Sequence, residues 1–446
     1  MRLDERLEHV AVVGAAGKMG SGIVTLLALE MAKARARAEN RGKCYRLHCI
    51  DLRDQALDDL RHYVKAQATK AAERSIVLLR QLYADREDLV ENYDVIAEFV
   101  DTTLSLLRPS TELAVAKGAH LVFEAVVEDK TAKVQLLSEL NRLCPPSTFF
   151  LTNTSSIPIT LLDKEANLGG RIIGYHFYNP PMVQKLVEVI APQGTVPELV
   201  QLGRELGQRL GKRLFFANDV AGFIGNGHFS RDGLYACREA QRLAKDYTLA
   251  GGMYLVNKVS QDLLVRPMGI FQLIDYVGVD VFYFLLKVMN EHIAGEELHS
   301  DLIDRFYEMK LFGGQWPDGS QKDGILRYDR GRPVGIYDLD KQKYVMFDPN
   351  GWTGELDQAL GPYPSSHLPW KMLLALTNRD EHLRLYFQEL FASDTLGARL
   401  ALAYLRRSKE IGEKLVADGV ANSAEDVNGV LTNGFYHLYG PINDFV

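Results

Sequence analysis

The stretch from His9 to Gly22, "HVAVVGAAGKMGSG", constrains the fold more than any other part of the chain. A short valine-rich run reads as a buried strand, and the residues from Lys18 onward read as a helix. Between them stand Gly14, Gly17 and Gly20. Glycine at a strand-to-helix junction permits a tight turn and lets backbone N–H groups approach a pyrophosphate, while the helix N-terminus favours negative charge. Gly14, Gly17, Lys18, Met19 and Gly20 are therefore candidate dinucleotide contacts. The pattern is one residue longer than G-x-G-x-x-G, so an ordinary strand-to-helix turn is the alternative; the strand and helix on either side weigh against it.

The same alternation continues. "YRLHCIDL" reads as a second strand, followed by helical pattern from Arg53 to about Asp101. "AHLVFEAV", "STFFLTNTSS", "RIIGYHFYN", "KLVEVIAP" and "KRLFFAND" read as further strands, with helices at "KTAKVQLLSELNRL" and "PELVQLGRELGQRLG". Strands alternating with helices imply βαβ units and a mostly parallel sheet. Asp51, at the end of the second strand, is placed to accept hydrogen bonds from a ribose diol, which favours NAD over NADP. An N-cap for the following helix is its alternative role.

Past about residue 217 the pattern becomes helical. Turn-rich sequence and a hairpin in "VGIYDLDKQKYVMFD" interrupt it, and helical pattern resumes from about Pro369 to the end. The expected division is 1–217, 218–312, an insertion over 313–368, and 369–446. "VNKVSQDLLVRPMGIFQLID" from Val256 and "VNGVLTNGFYHLYGPINDFV" from Val427 share Val-Asn-x-Val and then Gly269 and Gly440 at one offset. The echo suggests a duplicated helical unit.

A net charge of -7 argues against nucleic acid and anionic membrane partners. The opening "MRLDERLEHV" lacks a signal peptide's apolar core, and no apolar run approaches the roughly 18 residues of a membrane helix. Cys44, Cys49, Cys144 and Cys237 show neither metal-site spacing nor disulfide density. These features point to a cytoplasmic protein without a metal.

His176 and Glu188 each interrupt an apolar, strand-like run. A satisfied core histidine and a surface ion pair are the plain readings. As a pair they suit alcohol oxidation: imidazole takes the hydroxyl proton while a carboxylate fixes its tautomer.

"TNTSSIPIT", "GYHFYNPP", "LVEVI" and "DVAGFIGN" together resemble the L-3-hydroxyacyl-CoA dehydrogenase family, over about residues 8 to 290 and again near the C-terminus. The resemblance implies an α/β Rossmann-type dinucleotide-binding domain followed by an all-α, 6-phosphogluconate-dehydrogenase-like C-terminal domain, duplicated here. It assigns the catalytic pair to His176 and Glu188, and substrate contacts to Ser155 and Asn226. It adds cofactor contacts at Glu128, Lys133, Asn153 and Asn179. The implied reaction is NAD-dependent oxidation of a (S)-3-hydroxyacyl-CoA, as in fatty-acid β-oxidation. Single-copy members dimerise through the helical domain, so an internal pseudo-dimer or a homodimer is expected. Gly227, Ile270 and Ser320 depart from the family's usual residues and bear on acyl or CoA binding. A CoA-free 3-hydroxy acid or sugar acid as substrate, and a non-catalytic NADH-binding protein, remain as alternatives.

Overall fold

The computed structural model describes residues 1–40, 42–316 and 319–446. The chain divides into two units, Met1–Asp219 and Val220–Val446.

The first unit is built on eight strands: β1 (His9–Val13), β2 (Arg46–Ile50), β3 (Leu107–Ser110), β4 (Leu121–Glu124), β5 (Phe149–Thr152), β6 (Ile172–Phe177), β7 (Leu186–Ile190) and β8 (Arg213–Ala217). They form one sheet in the order β3-β2-β1-β4-β5-β6-β7-β8. Pairing is parallel except between β6 and β7. The helices are α1 (Leu3–Arg6), α2 (Lys18–Ala36), α3 (Asp54–Arg74), α4 (Ile76–Leu82), α5 (Asn92–Leu106), α6 (Lys130–Leu143), α7 (Ile159–Glu165) and α8 (Pro197–Arg209). This is a Rossmann-like arrangement. The strand order reverses at β1, and at such a point the carboxyl ends of the strands open a ligand crevice.

Every residue of β4, β5, β6 and β7 is buried. That explains their near-continuous apolar sequence, since both faces of a central strand are covered. β3 is not foreshadowed by the sequence. Its "LRPS" carries Pro109, which cannot donate to a ladder, and it survives because β3 is an edge strand.

The second unit is mainly helical. Its helices are α9 (Gly225–Leu243), α10 (Leu249–Lys258), α11 (Ile270–Val277), α12 (Val279–His292), α13 (Asp301–Glu308), α14 (Trp352–Leu360), α15 (Trp370–Leu374), α16 (Arg379–Ala392), α17 (Leu396–Ala417) and α18 (Ala424–Gly434). The expected hairpin forms as β10 (Arg332–Asp338) against β11 (Lys343–Met346), and β9 (Leu326–Asp329) adds a third antiparallel strand. Within the turn-rich stretch, residues 317 and 318 lie outside the described residues. Two expectations need correcting. The range 313–368 is not all turns and strands, because α14 lies inside it. Helix does not reach the C-terminus: after α18, residues 435–446 run as turns fastened by side chains, including Asn443, whose Oδ1 accepts from Phe445 N–H at 3.1 Å. Among the described residues no helix is long and apolar enough to cross a membrane.

A buried polar group ties α9 to α17. The Asp232 carboxylate accepts from Arg266 Nη1 at 2.7 Å and from Tyr404 OH at 3.1 Å. Asn257 and Asn428, the asparagines of the sequence echo, make comparable bonds. Asn257 Oδ1 accepts the N–H groups of Phe271 and Gln272 at 3.0 and 3.1 Å, and Asn428 Oδ1 accepts that of Ile442 at 3.0 Å. Each asparagine lies against a glycine, Gly269 or Gly440, where a Cβ would collide with the amide. Replacing Asn257 by Ala strands two N–H groups at the start of α11. Asn257→Ala is expected to lower the unfolding free energy by about 1–3 kcal/mol, the cost of orphaned buried donors, as measured by urea unfolding.

Candidate active site

The parallel strands bring their carboxyl ends to one edge of the sheet. Gly14 follows β1, Asp51 follows β2, Glu124 ends β4, Asn153 follows β5, and His176 sits near the end of β6.

At the first of these ends Gly14 has φ +79°, which only glycine adopts without strain. Its N–H and that of Ala15 donate to the Ile50 carbonyl at 2.9 and 3.0 Å. Gly17 is the N-cap of α2, with Lys18, Met19 and Gly20 on the first turn. A Cβ on Gly20 would run into the Gly14 carbonyl, so the loop folds tightly over the helix N-terminus. Asp51 is not the cap of α3, whose N-cap is Arg53. Instead Asp51 Oδ2 accepts the Ala16 N–H at 2.9 Å, which joins the acid to the glycine loop.

The second cluster is a buried ionic group. Lys133 and Glu124 are each 1% exposed, and Lys133 Nζ donates to Glu124 Oε1 at 2.7 Å. Lys133 also lies 3.4 Å from Glu128 Oε2. Burial works to lower the Lys133 ammonium, but the carboxylates of Glu124 and Glu128 hold it above its ordinary value. Glu124 further accepts the Val126 N–H at 2.8 Å and the Thr152 hydroxyl. The other oxygen of Glu128 gathers the serine loop. It accepts the Thr154 hydroxyl at 2.7 Å, the N–H groups of Ser155 and Ser156 at 2.8 and 3.0 Å, and their hydroxyls at 3.2 and 2.9 Å. Burial would raise the Glu128 carboxyl, but Lys133 and these donors hold it below the usual carboxylate range.

Ser155 is thus held by Glu128 and is not the cap of α7. The capping is done by Asp219, whose carboxylate accepts the Ile159 and Thr160 N–H groups, each at 2.6 Å. Lys133 has its ammonium engaged in the interior, which separates it from the open residues that the resemblance groups with it. Asn153 Oδ1 accepts the Phe177 N–H at 2.9 Å and so locks the end of β5 to the residue after His176. Asn179 follows β6 in the loop leading to Pro180.

The third cluster is the His–Glu pair. Antiparallel pairing of β6 and β7 sets His176 directly opposite Glu188. His176 Nδ1 lies 3.0 Å from Glu188 Oε2, and Glu188 is fully buried. An ionised carboxylate only accepts, so the Nδ1 proton points at Glu188 and the Nε2 lone pair faces the other way. Tyr178 OH donates to the same Oε2 at 2.8 Å. Asn226, the remaining expected site residue, lies half-buried on the first turn of α9 in the second unit.

The 3-hydroxyacyl-CoA dehydrogenase NAD-binding domain matches residues 9–220, and the C-terminal domain of the same family matches residues 234–322. Human mitochondrial hydroxyacyl-coenzyme A dehydrogenase is 31% identical over 328 residues, covering 71% of this chain and 91% of that protein. A probable 3-hydroxybutyryl-CoA dehydrogenase of Bacillus subtilis is 33% identical over 213 residues, 47% of this chain and 67% of that protein. The crystal structure of Escherichia coli 3-hydroxybutyryl-CoA dehydrogenase superposes with a TM-score of 0.64 at 21% identity, covering 98% of this chain and 90% of that one. At that identity the likeness concerns the fold.

The chain belongs to the 3-hydroxyacyl-CoA dehydrogenase family. It is an NAD-dependent oxidoreductase of that family, and its first unit is the NAD-binding domain. The glycine loop fits the cofactor: the Gly14–Gly20 contact leaves no room for a Cβ, and the N-terminus of α2 stands behind it. Four polar residues of this site escaped the sequence reading, namely Glu124, Tyr178, Ser156 and Asp219. The available signal was the spacing of Glu124, Glu128 and Lys133 in "EAVVEDKTAK".

Removing Lys133 strands a carboxylate that has no access to water. Lys133→Met is expected to cost about 3–5 kcal/mol of stability, and Lys133→Met with Glu124→Met markedly less, since both halves of a buried pair then leave together. Urea unfolding followed by circular dichroism reads both.

Proposed function

We propose that this member of the family oxidises a (S)-3-hydroxyacyl-CoA to the 3-ketoacyl-CoA, with His176 as general base and Glu188 as its orienting carboxylate. The observation that carries this reading is the 3.0 Å contact between His176 Nδ1 and a fully buried Glu188. A buried carboxylate is costly unless paired, and here it is paired with the one side chain suited to proton transfer near neutral pH.

His176 Nε2 accepts the substrate's hydroxyl proton. Glu188 keeps the imidazole in the required tautomer and stabilises the imidazolium that results. Ser155, held on the Glu128 carboxylate, and Asn226 hydrogen-bond the reacting oxygen. Bound NAD supplies the acceptor for the hydrogen leaving carbon 3. Gly14, Gly17, Lys18, Met19 and Gly20 hold its pyrophosphate, and Asp51 its adenosine ribose. Glu128, Asn153 and Asn179 would contact the cofactor, while Lys133 would act from the interior through Glu128. In the reverse direction the imidazolium returns the proton to the ketone oxygen. The family's place in acyl-CoA degradation supports a thioester substrate rather than a free acid.

The second unit is read as two copies of one helical motif, 218–312 and 369–446, forming an internal pseudo-dimer with 313–368 between them. The matching Asn257–Gly269 and Asn428–Gly440 contacts support this, as does the Asp232–Tyr404 bond between α9 and α17. A reducing, cytoplasmic setting agrees with four free cysteines.

With acetoacetyl-CoA and NADH, His176→Gln is expected to lower turnover by about 10²- to 10⁴-fold, the usual contribution of a positioned acid–base group. NADH binding, followed by fluorescence, is expected to persist. Unchanged turnover would remove His176 from the mechanism.

A further inference from the structure

His176 is the second-last residue of β6, and Tyr178 is the first residue of the loop that follows the strand. Their rings lie 4.8 Å apart, inclined at 42°. Across the strand pair Glu188 stands directly opposite His176, and the Tyr178 side chain reaches back to it from the loop. The result is one oxygen with two donors. Glu188 Oε2 accepts from His176 Nδ1 at 3.0 Å and from Tyr178 OH at 2.8 Å.

Two donors on one carboxylate oxygen compete. Each draws electron density from that oxygen and weakens it as an acceptor for the other. The imidazole gains most from Glu188 once it carries a second proton, because a charge-assisted hydrogen bond is roughly twice as strong as a neutral one. A phenol already bound to Oε2 reduces that gain.

We propose that Tyr178 is a positioning residue that sets the proton affinity of His176 by sharing the Glu188 oxygen. This rests on the His176 reading above. Tyr178 keeps the dyad from holding the substrate's proton too firmly, so the imidazole is neutral when an alcohol must be oxidised and still able to donate when a ketone must be reduced. Burial, together with the Glu188 charge, pushes the Tyr178 phenol well above its ordinary value, so it remains a donor throughout the working range. Four other ionisable groups of the neighbouring elements are held by their own partners. Glu124, Glu128 and Lys133 bind one another, and Lys212, at the head of β8, donates to the carbonyls of Pro181 and Gln184 at 2.5 and 2.7 Å.

The test is the pH profile of kcat/KM for Tyr178→Phe, in both directions. A hydrogen bond to a charged group bears on the protonation equilibrium by about one pH unit. Loss of the phenol lets Glu188 hold the imidazolium more strongly, so the acid limb of oxidation is expected to move up by about half to one unit. The alkaline limb of reduction moves up with it. Incorporating 3-fluorotyrosine at position 178 makes the phenol a stronger donor and is expected to move both limbs down. A purely structural role for Tyr178 predicts opposite signs for neither change. Limbs that stay in place, or that move the same way in both variants, overturn the proposal. His176→Gln, run in parallel, separates the two readings. If it keeps wild-type turnover, the base assignment fails, and nuclear magnetic resonance titration of the His176 ring then decides the role of Tyr178 without reference to activity. A midpoint raised in Tyr178→Phe supports the shared oxygen, and an unmoved one overturns it.

Discussion

Glu188 places a carboxyl group at the centre of a strand with no access to water. The surrounding structure has to satisfy that carboxylate, because a buried and unpaired charge costs more than a domain's stability margin readily absorbs. The sheet meets the requirement through its one antiparallel pairing. Where β7 runs against β6, residues directly opposite on the two strands bring their side chains close together, and His176 is the residue opposite Glu188. A parallel β7 would have offset the two residues and required a long crossover. The chain reverses through a short loop instead, and the loop itself supplies Tyr178.

Glu128, which is open to solvent, is held by a larger set of partners. Its carboxylate gathers backbone and hydroxyl donors from residues 154 to 156 and leans on Lys133, which is braced in turn by Glu124. The ends of β4 and β5 are thereby tied to one another by charge-assisted hydrogen bonds. Such bonds are directional. They fix Ser155 within a narrow range of positions, which a loop held only by packing would not achieve. The arrangement matters for chemistry because an acid–base group contributes only when the reacting atoms lie within hydrogen-bond reach.

Much of this was legible in the sequence, though unevenly. The glycine loop was readable because backbone geometry dictates residue identity there: Gly14 needs its positive φ and Gly20 has no space for a side chain. The buried strands were readable from apolar runs. His176 and Glu188 were visible as polar interruptions of two strand-like runs and could be read as a facing pair, because two adjacent strands can set one opposite the other. Glu124 stayed hidden because an acid at the end of a strand has the same appearance whether it meets water or a buried lysine. β3 stayed hidden behind Pro109, and the turns after α18 behind a sequence still rich in apolar residues.

The second unit shows the same rule from the other side. Val256 to Asp275 and Val427 to Val446 share few residues, and most apolar positions differ, as a core accepts many side chains of suitable volume. The asparagine and the glycine are the same in both segments. An amide oxygen must reach a backbone N–H fourteen residues further on, and the glycine between them must leave room for it. No other residue pair combines a short amide acceptor with the absence of a Cβ. Of the four letters that match, the asparagine and the glycine are the two that this hydrogen-bond geometry specifies.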